Sequence, residues 1–171
     1  MARRMMQALF AGALALALHG QALAEGEGCA AFKWPLTQES QWFTAANIPA
    51  AETGASFEAV PASALTVTLM DGAKAGFVLP PERKPKDGAP NGAVLHLTVP
   101  DAGTYQITLS EDAWLDVVQN GALKPSSDFS GAKGCPNLRK SVRFTLEAGA
   151  ATLQISGASV THVLVAMRKV E

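Results

Sequence analysis

Arg139, Lys140 and Arg143 fall within five consecutive positions, with Lys133 a few residues ahead of them. Two guanidinium groups and an ammonium at the start of a strand suit a carboxylate, a phosphate or an acidic glycan, held by charge-assisted hydrogen bonds. The competing reading is an edge strand whose charges keep it from pairing with another molecule. Glu111, Asp112 and Asp116 cluster around Trp114. Oxygen ligands on a loop suit calcium, two carboxylates beside a tryptophan suit a glycosidase, and a polar hairpin tip has the same composition. Asp116 shares a strand face with Trp114 and Val118. If that face is core, its carboxylate needs a partner, which Arg139 or Arg143 is expected to supply.

His96 and His162 are the two histidines beyond residue 24. Both fall in expected strands. Meeting across sheets, with Asp116 or Glu111 as a third ligand, they would hold a metal ion. A cupin oxygenase of the homogentisate dioxygenase type needs a His-x-His pair, a following Glu and a further His around its iron. No His-x-His occurs here, and the plain alternative is two partly exposed strand histidines. Nucleophilic catalysis lacks a signature. There is no Gly-x-Ser-x-Gly elbow, no Gly-rich phosphate loop ahead of a helix, and Ser126-Ser127 has no patterned histidine or acid. No catalytic residue is assigned, and no cofactor beyond a conceivable metal ion.

Cys29 and Cys135 are the only cysteines. An even count in an exported chain is most simply one disulfide; the alternative is a thiol pair for a soft metal such as copper. Export itself is read from residues 1–24. Arg3-Arg4 leads an apolar run from Met5 to Leu18, and Ala22-Leu23-Ala24 closes it with small residues, the pattern of a cleaved signal peptide. The run is too short and alanine-rich for a membrane span. Met5-Met6-Gln7 fits a twin-arginine signal poorly, and Gly26-Glu27-Gly28 ahead of Cys29 is no lipobox. A periplasmic or secreted chain starting at Glu25 is expected. Without Arg3 and Arg4, the 14 basic residues become 12 against 15 acidic ones, a charge of −3. That is ordinary solubility, with no global basic surface for nucleic acid.

The elements that must position these groups are strands. Thr37 is placed as the cap of a short helix over 37–45, with Glu39 in its first turn and Leu36, Ser40 and Phe43 along one face. Residues 46–63 read as loop with a short strand near Phe57. From Ala64 the period is two. Strands are expected at 65–70, 77–79, 94–99, 104–109, 114–118, 142–146, 153–155 and 160–167. Asn120-Gly121 marks a turn. The proline-rich stretch from Pro80 to Gly92 reads as a solvated loop, and Gln119 to Arg139 as a long loop stapled by Cys135. The pattern defines an all-β fold, an antiparallel β-sandwich or jelly roll with one short N-terminal helix, as a single domain over 25–171.

The series Ala102-Gly103-Thr104-Tyr105-Gln106-Ile107-Thr108-Leu109, Trp114-Leu115-Asp116-Val117, Leu138 to Phe144, and Ala148-Gly149 leading into Leu153 to Gly157 resembles a family of small exported proteobacterial proteins. The strand around Tyr105 is also similar to bacterial pre-peptidase C-terminal domains, which are jelly-roll modules. The resemblance implies a fold and a compartment, and it brings no activity with it. The expectation is therefore a non-catalytic, exported binding or envelope-associated module. Its partner would be a small anionic ligand, a glycan or an envelope protein, held by Lys133, Arg139, Lys140 and Arg143 with Trp114 and Asp116. The alternative is a metal-dependent enzyme or periplasmic metal handler built on His96 and His162.

Overall fold

The computed structural model describes residues 28–87 and 90–171; the expected signal peptide lies outside them. A 3-10 turn at Gly28–Ala31 leads to helix α1 (Thr37–Phe43). The strands follow as β1 (Ala50–Ala51), β2 (Ser56–Phe57), β3 (Leu65–Thr68), β4 (Met70–Asp71), β5 (Asn91–Val99) and β6 (Gly103–Leu109). After them come β7 (Trp114–Gln119), β8 (Ala122–Lys124), β9 (Ser126–Gly131), β10 (Lys140–Leu146), β11 (Gly149–Ala158) and β12 (His162–Lys169). The first sheet runs β1-β3-β12-β6-β10-β9 and the second β2-β5-β11-β7-β8, with β4 also on β5. The all-β sandwich is as expected. Its long strands pair antiparallel, but β1 joins β3 and β2 joins β5 in parallel, two residues each, so both sheets are mixed.

Alternation puts Val67, Tyr105, Ile107, Leu109, Phe144 and Val165 of the first sheet against Leu95, Leu115, Val117, Leu153 and Ile155 of the second. The Tyr105 hydroxyl, deep in this core, donates to the Asp101 carbonyl at 2.8 Å. A second, smaller core lies outside the first sheet. There α1 and the chain before it cover the outward residues Leu164 and Ala166 of β12 with Leu36, Phe43, Trp34 and Trp42. The Cys29–Cys135 disulfide ties this covering segment to the chain ahead of β10. Among the described residues no helix is long and apolar enough to cross a membrane.

Four local expectations are corrected. Thr37 is the first helical residue rather than the cap, Leu36 holds the cap position without a side-chain bond, and the helix ends at Phe43. Glu39, not Ser40, shares the buried face with Leu36 and Phe43. Phe77 to Leu79 is not a strand: the Val78 and Leu79 amides and the Leu79 carbonyl are taken by one side chain. The Gln154 Oε1 accepts from the Val78 and Leu79 amides at 2.7 and 3.2 Å, and its Nε2 donates to the Leu79 carbonyl at 3.0 Å. Finally, the stretch from Gln119 to Arg139 holds two strands. Asn120 and Gly121 both adopt positive φ, 55° and 74°, which closes the β7–β8 hairpin. Past Pro125 the chain changes sheet and pairs as β9 with β10.

Candidate functional site

That change of sheet sets the geometry of one side of the sandwich. The second sheet ends there in β7 and β8, the first in β10 and β9. Trp114 opens β7 with its side chain on the outward face and half-buried. Its Nε1 donates to the Asp116 Oδ1 at 2.8 Å. Two cations flank its ring, the Arg83 guanidinium 4.5 Å and the Lys140 ammonium 5.4 Å from a ring centroid. Both distances lie within the range of cation–π attraction.

Arg83 arrives from the proline-rich stretch, which is strapped to the sheet rather than solvated. Asp116 and Gln154 are register partners on the outward face of the second sheet. Gln154 grips Val78 and Leu79, and the Asp116 Oδ2 accepts the Glu82 amide at 3.2 Å. Pro85 passes over Gly157, where a Cβ would stand 3.7 Å from its Cα. The strap delivers Arg83, Lys84 and Lys86 to Trp114 and to the start of β10.

Two cavities share Arg83, Trp114 and Lys140 as a common wall. One, of about 260 Å³, adds Lys84, Lys86, Asp87 and Asp112. The other, of about 170 Å³, adds Leu115, Val142, Phe144 and Phe129, with Glu82, Asp116 and Lys124. Asp112 is the counter-charge of the first, lying 3.4 Å from Arg139, 3.9 Å from Lys86 and 4.0 Å from Lys140. The Lys140 side chain is only 18 % exposed, and its ammonium donates to the Ala113 carbonyl. Burial holds this ammonium below the ordinary lysine value, against the pull of Asp112. A larger hollow, about 540 Å³, lies beside the disulfide among Phe32, Trp34, Leu36 and Leu138. Lys33 is its single charged wall residue, so convergent charge is found at Trp114 instead.

The expected basic cluster is divided. Lys140 reaches Trp114, and Arg139 reaches it through Asp112. Arg143 points to the outer face of the first sheet, 4.2 Å from the Trp34 ring centroid, donating through Nε to the Gln106 Oε1 at 3.1 Å. Lys133 is exposed and lines neither cavity; its backbone carbonyl takes the Gly28 amide. Asp116 is buried, but under the strap on the outward face rather than in the core, and neither Arg139 nor Arg143 pairs with it: the Trp114 indole and the Glu82 amide do. The three acids do not converge, because Asp116 lies under the strap and Asp112 is exposed among cations.

His96 and His162 are not brought together either. His96 faces outward from the second sheet, with Nδ1 3.2 Å from the Thr152 hydroxyl. His162 is exposed on the outer face of the first sheet, with Nδ1 3.1 Å from the Thr161 hydroxyl. The core separates the two faces. Among the described residues no group of three or more His, Cys, Asp or Glu is arranged to hold a metal ion. The cysteines are spent in the disulfide.

Sequence reading missed Arg83, Lys84 and Lys86. Three cations in four positions were a visible signal, but not which face the loop returns to. Compared with family models, curated proteins and solved structures, the chain matches none.

Asp116 gives the site a pH signature. Burial raises its carboxyl above the ordinary 3.8, outweighing the bonds from Trp114 and the Glu82 amide, and the Glu82 charge adds to the rise. The folded chain therefore binds this proton more tightly than the unfolded one. Its contribution to stability is complete below 3.8 and is lost as pH rises through the raised folded value. Urea unfolding across that window is expected to show the parent chain losing stability relative to Asp116→Asn. Parallel pH curves for the two proteins would refute this.

Proposed function

We propose that the chain is a periplasmic or secreted, non-catalytic binding module that takes a small anionic ligand between Arg83, Trp114 and Lys140. One observation carries the reading. Arg83, Lys84, Lys86 and Lys140 line a single cavity in which only Asp87 and Asp112 oppose them. Such an excess of positive charge in a concave site draws in an anion and strengthens each hydrogen bond to it. Export is supported by the leader pattern of residues 1–24 and by the disulfide, a bond that persists in oxidising compartments. An acidic glycan or an envelope protein would use the same charges from a larger molecule.

The test is a titration with acetate and with sulfate, followed at the Trp114 indole N–H in a ¹H–¹⁵N spectrum. Saturable shifts are expected. Arg83→Gln and Lys86→Gln should each weaken binding about tenfold, the loss of one charge-assisted bond, with unfolding temperatures unchanged. Arg143→Gln, on the far face, should leave the titration alone. Titration curves untouched by Arg83→Gln and Lys86→Gln would defeat the proposal.

A further inference from the structure

The two cavities that meet at Trp114 differ in their walls, one gathering cations and the other adding Leu115, Val142, Phe144 and Phe129 to a mixed polar rim, and the difference selects a ligand. Resting on the anion-binding reading above, we propose that the ligand is an amphiphilic monoanion, an aryl or short acyl carboxylate. Its apolar body lies over Leu115, Val142, Phe144 and Phe129, and its carboxylate lies between Lys84, Lys86 and Lys140.

The apolar half is built from the mouth of the core. Leu115 of β7 and Val142 and Phe144 of β10 face inward and form its floor. Phe129 stands at the lip. It is 63 % exposed, more than Val78 at 51 % or Met70 at 39 %, the other large apolar residues left in water among the described residues. Every neighbour of Phe129 along β9 is Ser, Asp or Gly, so the phenyl group answers no need of the strand itself. It pairs across to Val142, which puts it on the same side as the floor. The Lys33 ammonium, 5.3 Å from the ring, covers part of Phe129 and leaves the rest open. An apolar cavity of about 150 Å³ is enough to take up benzene. The about 170 Å³ here is therefore on the scale of one ring or a short acyl chain.

Charge fixes the direction in which the ligand lies. Glu82 and Asp116 line the apolar half, and Lys124 there is matched by Glu147 at 3.6 Å. An anion placed in that half meets carboxyl groups. In the other half it meets Lys84, Lys86 and Lys140. Arg83 and Lys140 stand at the junction, against Trp114, where a carboxylate joined to a ring by two or three bonds reaches both chambers. With two carboxylates set against four cations, the cationic chamber keeps an excess of positive charge to receive the ligand's carboxylate.

The probes are 3-phenylpropionate, acetate and 3-phenylpropanol, titrated against the purified chain by calorimetry and at the Trp114 indole N–H. 3-Phenylpropionate should bind at least tenfold more tightly than either of the others. Phe129→Ser should remove most of that advantage and leave acetate unchanged; Phe129 is exposed, so a matching unfolding temperature confirms an intact fold. Lys86→Gln should weaken both acids. If acetate binds as well as 3-phenylpropionate, the amphiphile fails and the anion reading stands. If 3-phenylpropanol binds and the acids do not, or if no probe binds, both fail. Binding of an oligogalacturonate without 3-phenylpropionate overturns the amphiphile in favour of an acidic glycan.

Discussion

Replacing Cys29 and Cys135 together by alanine is expected to lower the unfolding free energy by about 4 kcal/mol. The bond joins residues 106 apart in sequence, and closing a loop of that order removes about 4–5 kcal/mol of chain entropy from the unfolded state. Part of this is withheld, since unfolded chains are already compact. The native side of the balance changes little. Leu36 and Phe43 stay buried, and the Gly28 amide keeps the Lys133 carbonyl within reach at 2.9 Å. Alanine is the better replacement because Cys135 is buried and a serine hydroxyl there would lack a partner. With a urea slope of about 2 kcal/mol per molar, the midpoint should fall by about 2 M. The Trp114 indole signal should stay in place, because Arg83 is held by the strap, Trp114 by the ladder of β7 with β11, and Lys140 by the ladder of β10. A midpoint shift below a quarter of that size would mean that the covering segment holds its place without the bond.

The sheet strands were legible in the sequence where one face met the core and the other did not. β5, β6, β7, β10 and β11 carry that period of two, β12 is instead a continuous apolar run because its outward Leu164 and Ala166 meet the second core, and Asn120-Gly121 marked a turn. β9 did not show itself because Ser126 to Gly131 is polar on both faces; its place comes from backbone pairing to β10, which leaves no mark on composition. The opposite failure occurred at Phe77 and Leu79. They alternate like a strand, yet the hydrogen bonds of a strand neighbour are supplied by the Gln154 side chain. β1 and β2 are two residues each, too short for any period. At the site, Trp114, Asp116 and Lys140 were recognisable as chemistry. Alternation assigns a residue to a face, but not that face to a neighbour. The pairing of Trp114 with Arg83, and the parting of Arg143 from Lys140, depend on how the strap and β10 lie across the sheets.

Glu39 illustrates the same limit and carries the second large effect. Its position in the first helical turn suits a charge serving the helix dipole. Instead it is 1 % exposed, on the face that Leu36 and Phe43 press against the first sheet. Its Oε1 accepts from the Gln106 Nε2 at 2.6 Å and from the Arg168 Nε at 2.7 Å, while Oε2 has no partner. Gln106 in turn accepts from Arg143. Glu39→Met leaves the buried Gln106 amide N–H unpaired and Arg168 without its carboxylate. Breaking one side of a buried pair costs about 3–5 kcal/mol. The Arg168 side chain is 31 % exposed and recovers some hydration, so the expected loss is about 3 kcal/mol. Arg168→Met should cost a similar amount, because it strands the carboxylate. Replacing both by methionine removes the mutual need, and an apolar pair of similar volume is often neutral. The double variant should therefore lose much less than the two single losses added together, a coupling of at least about 2 kcal/mol in urea unfolding. Additive losses would show that α1 is held by Leu36 and Phe43, with the ion pair a bystander. A strong coupling would show that the charged layer of Glu39, Gln106, Arg143 and Arg168 fixes where the helix lies on the sheet.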